Sequence, residues 1–171
     1  DHFARPDDSL SRALRDGSLR RNFQGYSTGK DTDILAFGIS AISQSRNAYF
    51  QKEKDIDVFE AALECGRVPI VRGVELNRED QVRRAAIMDI MCKSTVDFDA
   101  FEARVGVPFA DYFEVELDRL DVLEDDGLVE RGGDELRITR TGRLFIRNIA
   151  MTFDAYLQEK NGVASRYSKT V

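Results

Sequence analysis

A glycine pair between two short apolar segments is the feature that most constrains how this chain folds. Gly132 and Gly133 lie in a turn between the segments 128–130 and 136–139, each of which contains two apolar residues, and a turn of this kind is typical of a β-hairpin. Apolar residues at helical spacing precede the hairpin from about residue 77 and follow it to about residue 156. Three helices, a hairpin and a closing helix are the outline of a winged-helix domain.

The residues at the ends of the predicted helices in this region are types that commonly begin or end a helix. Asn77 and Asp97 are good N-cap residues, and Thr141 is expected to cap the last helix. Gly127 is expected to end the third helix. The predicted helices cover 78–93, 98–105, 109–126 and 141–156.

The residues before Asn77 alternate between helical and extended patterns. Helices are predicted over 8–16 and 56–65, and strands over 34–42, 47–51 and 68–76. The run 34–42 is apolar throughout, which indicates a strand buried on both faces. The polar stretch between the first helix and this run is expected to be an irregular connection.

The fold class that follows is α+β and mostly helical. The alternating part, residues 1–76, fits the end of a larger α/β unit, and residues 77–171 form the winged-helix-like C-terminal domain. The chain starts without a methionine, which we expect of a segment that begins inside a protein.

Composition narrows the possible functions. No apolar run approaches the roughly 18–20 residues that cross a bilayer, and no signal peptide is visible, so we expect no membrane association. Cys65 and Cys92 both lie in apolar helical patterns, which indicates core thiols in a reducing, cytoplasmic compartment. With His2 as the only histidine, the sequence predicts no metal site of its own.

Nucleic-acid binding is the first function that a winged helix suggests. Phosphate neutralisation dominates DNA affinity, but the third predicted helix carries eight acidic residues and one arginine, Arg119. We therefore expect no nucleic-acid partner and interpret the domain as a packing or capping module. The acidic clusters at 7–8 and 124–126 could suggest a hydrolase, but their places at helix ends favour capping and solvated roles.

Five passages together resemble the C-terminal portion of the oxygen-independent coproporphyrinogen III oxidase family. They are DHFARPDD (1–8), RNFQGYST (21–28), FGISAIS (37–43), RGVELNREDQVRR (72–84) and GRLFIRNIAMTFDAYL (142–157). The resemblance extends from the first residue to about Tyr156.

The resemblance implies a radical S-adenosylmethionine enzyme of heme and porphyrin biosynthesis. Such an enzyme uses a 4Fe-4S cluster on a CxxxCxxC-type motif and converts two propionates of coproporphyrinogen III into vinyl groups with loss of carbon dioxide. It holds two S-adenosylmethionine molecules in an incomplete α/β barrel and requires an electron donor. This chain lacks the three-cysteine motif, so we expect the chain alone to be inactive and free of cofactor. We expect the parent enzyme to be a cytoplasmic monomer.

The resemblance also implies a binding role for three residues. Phe23, Gln24 and Ile42 match positions that line the second S-adenosylmethionine or substrate pocket. Gln24 offers two donors and an acceptor, Phe23 a surface for stacking, and Ile42 an apolar wall. The alternative is that Phe23 and Ile42 belong to the core and that Gln24 caps a loop.

Three arginines lie in the matching passages and are candidates for the propionates of the substrate, namely Arg5, Arg21 and Arg72. A guanidinium binds a carboxylate through two parallel hydrogen bonds, although a solvated surface position is the commoner role of an arginine. No catalytic residue is predicted within this chain. The alternative function is that of a winged-helix interaction or regulatory module without catalysis.

Overall fold

The computed structural model describes residues 4–23, 25–29 and 32–159, with the side chains of 158 and 159 left aside. The chain divides into two compact units, Asp1–Gln81 and Val82–Val171. Helices and strands are mixed in the described residues, and helix is the larger part.

The first unit contains two small antiparallel sheets and two complete helices. Asp8 caps the first helix, as its sequence predicts, by accepting a hydrogen bond from the Leu10 amide at 2.8 Å. Asp55 caps the second helix through the amides of Asp57 and Val58. The elements are α1 (Ser9–Asp16), β1 (Arg20–Asn22), β2 (Gly25–Ser27), β3 (Ile42–Gln44), β4 (Ala48–Lys52), α2 (Ile56–Glu64) and β5 (Ile70–Glu75).

Strands β1 and β2 form a hairpin inside the stretch that was expected to be irregular. Three residues in each strand are too few for a periodic apolar pattern, so the sequence carries little signal for it. Strands β3, β4 and β5 form a second antiparallel sheet in that order. The predicted strands over 47–51 and 68–76 are thus confirmed, with ends that differ by one or two residues.

The predicted buried strand over 34–42 is wrong. Only its last residue, Ile42, lies in a strand, and Ile34 makes an isolated bridge to Gln44. The backbone between them turns through positive φ angles of 94° at Gly38 and 56° at Ser40. These angles interrupt an extended ladder, and the apolar side chains of the segment consequently face outward, with Phe37 86% exposed.

The second unit contains most of the long helix α3 (Arg78–Lys93) and a three-stranded sheet in the order β6 (Thr95–Asp97), β8 (Glu135–Ile138), β7 (Val129–Arg131). The hairpin predicted at the glycine pair is confirmed as β7 and β8, whereas the short strand β6 was not predicted. The elements are α3 (Arg78–Lys93), β6 (Thr95–Asp97), α4 (Phe98–Val105), α5 (Phe109–Tyr112), α6 (Glu114–Asp118), α7 (Asp121–Asp125), β7 (Val129–Arg131), β8 (Glu135–Ile138), a 3-10 helix (Gly142–Phe145), α8 (Ile146–Met151) and α9 (Ala155–Glu159).

The single helix predicted over 109–126 is instead three short helices, α5, α6 and α7. Phe113, at the first break, has φ −112° and ψ 26° and is fully buried. At the second break the Leu120 amide bonds to the Leu117 carbonyl, a tighter i to i+3 contact. Both breaks occur at buried residues, so the chain bends where its apolar side chains enter the core.

The last predicted helix is also interrupted, and Thr141 does not cap it. The hydroxyl of Thr139 accepts the Gly142 amide at 3.0 Å and donates to the Gly127 carbonyl at 2.8 Å. Thr139 therefore ties the start of the closing segment to the end of α7. A threonine two residues away from the predicted cap performs this role.

Aromatic rings form the centre of the core of the second unit. Phe101, Phe109, Phe113 and Phe153 are each at most 1% exposed. The Phe109 ring lies 4.9 Å from that of Phe101 and 4.8 Å from that of Phe113, between centroids. Such contacts add to the free energy of burial.

Two buried carboxylates in the second unit are neutralised by basic side chains. Glu116 accepts a hydrogen bond from Arg83 at 2.8 Å, and Arg83 also bonds to the Phe153 carbonyl at 3.2 Å. Asp89 pairs with Lys93 at 2.9 Å and with Arg104. These pairs connect α3 to α4, to α6 and to the closing segment.

Candidate functional site

Six side chains share one face of the three-stranded sheet of the first unit. Residues paired directly in an antiparallel sheet project to the same side, as do alternate residues along a strand. Gln51 pairs with Ile42 on one neighbouring strand and with Arg72 on the other. We call this surface the β3–β5 face; its members are Ile42, Gln44, Tyr49, Gln51, Arg72 and Val74.

Gln51 lies at the centre of the β3–β5 face and uses both ends of its amide. Its nitrogen donates to the Ser40 carbonyl at 3.0 Å, and its oxygen accepts the Nε–H of Arg72 at 2.8 Å. These two hydrogen bonds connect Ser40, which lies in the turn and has a positive φ angle, to the exposed guanidinium of Arg72 on β5. The two hydrogen bonds fix which way the amide is oriented.

Two of the predicted pocket residues belong to this surface or touch it. Ile42 lies on the β3–β5 face and is half-buried. The Phe23 ring is 56% exposed and meets the ring of Tyr49 edge-on, 5.3 Å between centroids. Gln24, the third pocket residue, lies outside the described residues.

The three arginines have different surroundings. Arg72 lies on the β3–β5 face, whereas the Arg21 guanidinium stacks over Tyr26, its cross-strand partner in the β1–β2 hairpin, at 4.8 Å. Arg5 forms an exposed ion pair with Asp7 at 3.6 Å. Of the three arginines predicted from the sequence, the structure places Arg72 on the same sheet face as Ile42 and the other two in separate contacts.

Sequence analysis missed Tyr49 and Gln51. Both lie in the NAYFQ segment, which the sequence predicts to be a strand, and their spacing of two residues puts them on one face. The signal was therefore present in the alternation. The sequence does not show that Gln51 bonds to Arg72, because the two residues are 21 positions apart along the chain.

The residues of this chain do not fit an iron–sulfur cluster. Such a cluster requires several cysteine thiolates, and the sequence has two cysteines. Cys92 is buried in the second unit, as predicted, whereas Cys65 is exposed at the C-terminal end of α2 in the first unit, so its prediction as a core thiol is wrong. Within 4–23, 25–29 and 32–159, no three His, Cys, Asp or Glu side chains are placed to hold a metal ion.

Glu124, in the acidic segment 109–126 of the second unit, is bonded to Arg131 of the hairpin, and this contact shifts its pKa. Glu124 accepts the backbone amide of Arg131 at 2.8 Å and its Nε–H at 2.7 Å. These hydrogen bonds, together with the charge of Arg131, lower the pKa of the Glu124 carboxyl below its ordinary value. Glu124 consequently stabilises the hairpin, a structural use of a residue that could have suggested catalysis.

No helix in the described part of the chain is both long and apolar enough to cross a membrane.

Comparisons with known proteins place the chain in one family. Residues 76–145 match the HemN C-terminal domain. A protein named oxygen-independent coproporphyrinogen III oxidase from Synechocystis is 46% identical over 165 residues, covering 94% of this chain and 35% of that protein. Its namesake from Helicobacter pylori strain J99 is 39% identical over 171 residues, covering 100% of this chain and 37% of that protein.

The structural comparison gives the same family. Coproporphyrinogen III oxidase (HemN) from Escherichia coli, described as a radical SAM enzyme, superposes with a TM-score of 0.87 at 43% identity. The match covers 91% of this chain and 36% of the other. The chain spans about a third of the length of these relatives and corresponds to their C-terminal part. The resemblance of the five sequence passages is thereby confirmed, and the chain belongs to the oxygen-independent coproporphyrinogen III oxidase family.

Proposed function

We propose that this chain is the C-terminal part of an enzyme that oxidatively decarboxylates coproporphyrinogen III to protoporphyrinogen IX without oxygen. The observation that carries the proposal is the match of nearly the whole chain to proteins of that name, at 39% and 46% identity in the two relatives described. We call the enzyme that contains this chain, at the length of those relatives, the full-length enzyme. It is proposed to act in heme biosynthesis as a cytoplasmic monomer supplied by an electron donor.

The full-length enzyme is proposed to bind a 4Fe-4S cluster and S-adenosylmethionine, which supply the radical chemistry. The cysteines of this chain do not fit that cluster, so its ligands belong to another part of the enzyme. The contribution proposed for this chain is binding: a wall and polar contacts beside the substrate or a second S-adenosylmethionine.

Residues 1–76 are proposed to be the end of the catalytic barrel, and the pocket residues are proposed to be Phe23, Gln24 and Ile42. Support comes from the β3–β5 face, where Ile42 lies on the same surface as Tyr49, and Tyr49 contacts Phe23. An exposed aromatic ring and a half-buried aliphatic side chain suit a flat, largely apolar ligand.

Residues 77–171 are proposed to be a winged-helix-like domain that packs against protein. The order of helices, with β6 paired to the β7–β8 hairpin, supports the winged-helix interpretation. The exposed acidic side chains of α5–α7 oppose DNA binding because they would repel phosphates. No salt-dependent binding to duplex DNA is expected, and fluorescence anisotropy with labelled DNA tests this.

Substitutions at Gln24 and Ile42 in the full-length enzyme test the proposal. Gln24→Ala should reduce anaerobic turnover of coproporphyrinogen III about tenfold or more with an unchanged melting curve, because a polar residue in a stretch that the sequence predicts to be an irregular connection is expected to tolerate alanine. Ile42→Asp should do the same with some loss of stability, since it replaces a half-buried aliphatic side chain with a carboxylate.

Ile42→Ala is the matched control, because it removes volume without adding charge and costs at most roughly 2–5 kcal/mol. Turnover is measured beside thermal melts and S-adenosylmethionine affinity for each variant. If Gln24→Ala keeps wild-type turnover and S-adenosylmethionine affinity, the assignment of the pocket is wrong. If the wild-type enzyme does not decarboxylate coproporphyrinogen III, the proposed function itself is wrong.

A further inference from the structure

Within the residues that the structure describes, the Arg72 guanidinium is bonded at one of its three nitrogens and open at the other two. Its Nε–H is engaged by Gln51 at 2.8 Å. In the part of the chain that the structure describes, Nη1 and Nη2 make no hydrogen bond or ion pair. An arginine has five N–H donors in a rigid plane, and its two Nη groups match the spacing of two carboxylate oxygens.

The bond to Gln51 determines which edge of the guanidinium is presented. A free arginine side chain has many rotamers, and their loss opposes binding. With Nε tied to the Gln51 oxygen, the plane of the guanidinium is set before a ligand arrives. The Gln51 amide is itself held by the Ser40 carbonyl at 3.0 Å. The chain of contacts is Ser40 to Gln51 to Arg72.

The neighbours of Arg72 define what kind of carboxylate fits. Tyr49 and Ile42 share the β3–β5 face with it, and Phe23 packs on Tyr49. An acid with an extended apolar or aromatic body would contact these side chains while its carboxylate meets the arginine. No acidic side chain belongs to the β3–β5 face, so the charge of Arg72 is not neutralised by the surface that it lies on.

From this arrangement we infer that Arg72 is a carboxylate receptor and that Gln51 is its positioning residue. The inference rests on the proposed function for the identity of the ligand. Two ligands of the full-length enzyme carry a carboxylate: the tetrapyrrole, through its propionates, and S-adenosylmethionine, through its amino-acid end. The shared chemistry is a carboxylate on a planar or apolar body.

Binding to the full-length enzyme distinguishes the two sources. Coproporphyrin III, the stable oxidised form of the substrate, is titrated by fluorescence, and S-adenosylmethionine by calorimetry. Arg72→Met should weaken one of these ligands about tenfold or more, because a bidentate ion pair is lost. Arg72→Lys should recover only part of the loss, since an ammonium cannot form the fork. Arg46→Met, an exposed arginine of the β3–β4 turn, is the control and should change neither affinity.

The tetramethyl ester of coproporphyrin III keeps the macrocycle and lacks the carboxylates. If the propionates are bound, the ester should bind equally well to the wild-type enzyme and to Arg72→Met. A loss that is confined to S-adenosylmethionine would assign the receptor to the amino-acid carboxylate. Unchanged affinity for both ligands in Arg72→Met would overturn the inference and leave the proposed function intact, provided that the wild-type enzyme turns over.

A double-mutant cycle tests the positioning role of Gln51. Gln51→Leu should weaken the same ligand about threefold to tenfold in the wild-type background and have no effect in the Arg72→Met background. A merely structural role would give the same loss in both backgrounds, and that result would refute positioning. A wild-type enzyme that neither binds the ligands nor turns over would overturn the proposed function and this inference with it.

Discussion

Gly142 is the position where a single added methyl group should damage the second unit most directly. An ideal Cβ at residue 142 would lie 1.9 Å from the carbonyl oxygen of Leu128 and 3.0 Å from Cγ2 of Ile138. Ordinary contact starts near 3.4 Å, so the backbone must open by about 1.5 Å, the difference between 3.4 and 1.9. The Leu128 carbonyl also accepts the Thr139 amide at 3.1 Å, and such a displacement breaks that bond.

The expected cost of Gly142→Ala follows from these contacts. Overpacking a tight site costs about 1–3 kcal/mol, and loss of the backbone hydrogen bond adds about 0.5–1.5 kcal/mol. We expect the free energy of unfolding to fall by about 2–4 kcal/mol. For a unit of this size, each kcal/mol lowers the melting temperature by about 4–8 °C.

Urea denaturation followed by circular dichroism measures this change. Gly133→Ala is the matched control, because a Cβ there meets nothing within 4 Å and should alter the free energy of unfolding by no more than about 0.5 kcal/mol. Equal denaturation midpoints for the two variants would refute the reasoning from close contact.

Three further predictions concern charge and metal. Arg83→Met should cost about 3–5 kcal/mol because it leaves the buried Glu116 unpaired; Arg83→Met/Glu116→Leu should recover part of that loss in urea melts. Since folding lowers the Glu124 pKa, its stabilisation is complete above the ordinary value of 4.5 and disappears as the pH falls through the folded value; Glu124→Gln should flatten the dependence of stability on pH in that acid range. The isolated chain should purify colourless and remain iron-free after anaerobic reconstitution, and bound 4Fe-4S by iron analysis would contradict the cysteine argument.

Local chemistry made part of this fold predictable from the sequence. Asp97 caps α4 by accepting the Ala100 amide at 2.7 Å. Asn77 and Asp80 exchange side-chain to backbone hydrogen bonds at 2.9 and 3.0 Å at the start of α3. The glycine-pair hairpin is equally local. In each case the residues that determine the structure are within a few positions of one another, so one sequence window contains the whole signal.

The predictions that failed concern features that depend on contacts between residues far apart along the chain. The run 34–42 has the composition of a buried strand, but whether its side chains are covered depends on elements elsewhere in the fold. The breaks in 109–126 arise from the packing of Phe113 and Leu120 in the core. The Gln51–Arg72 bond connects strands that are separated by helix α2. A single sequence contains the members of these contacts but not their pairing.

The acidic segment of the second unit illustrates how contacts change the meaning of a charge pattern. Glu116 is buried against Arg83, and Glu124 and Asp121 both bind the Arg131 guanidinium at 2.6 Å. Arg131 lies in the hairpin, where a DNA-binding domain would need a free cation. The donors of Arg131 are instead directed to these two carboxylates and to the Leu117 carbonyl at 2.9 Å. Binding to phosphates would have to break those bonds and overcome repulsion from the remaining acids. The electrostatics of the domain thus favour internal rigidity, which agrees with the role proposed for it as a module that packs against protein.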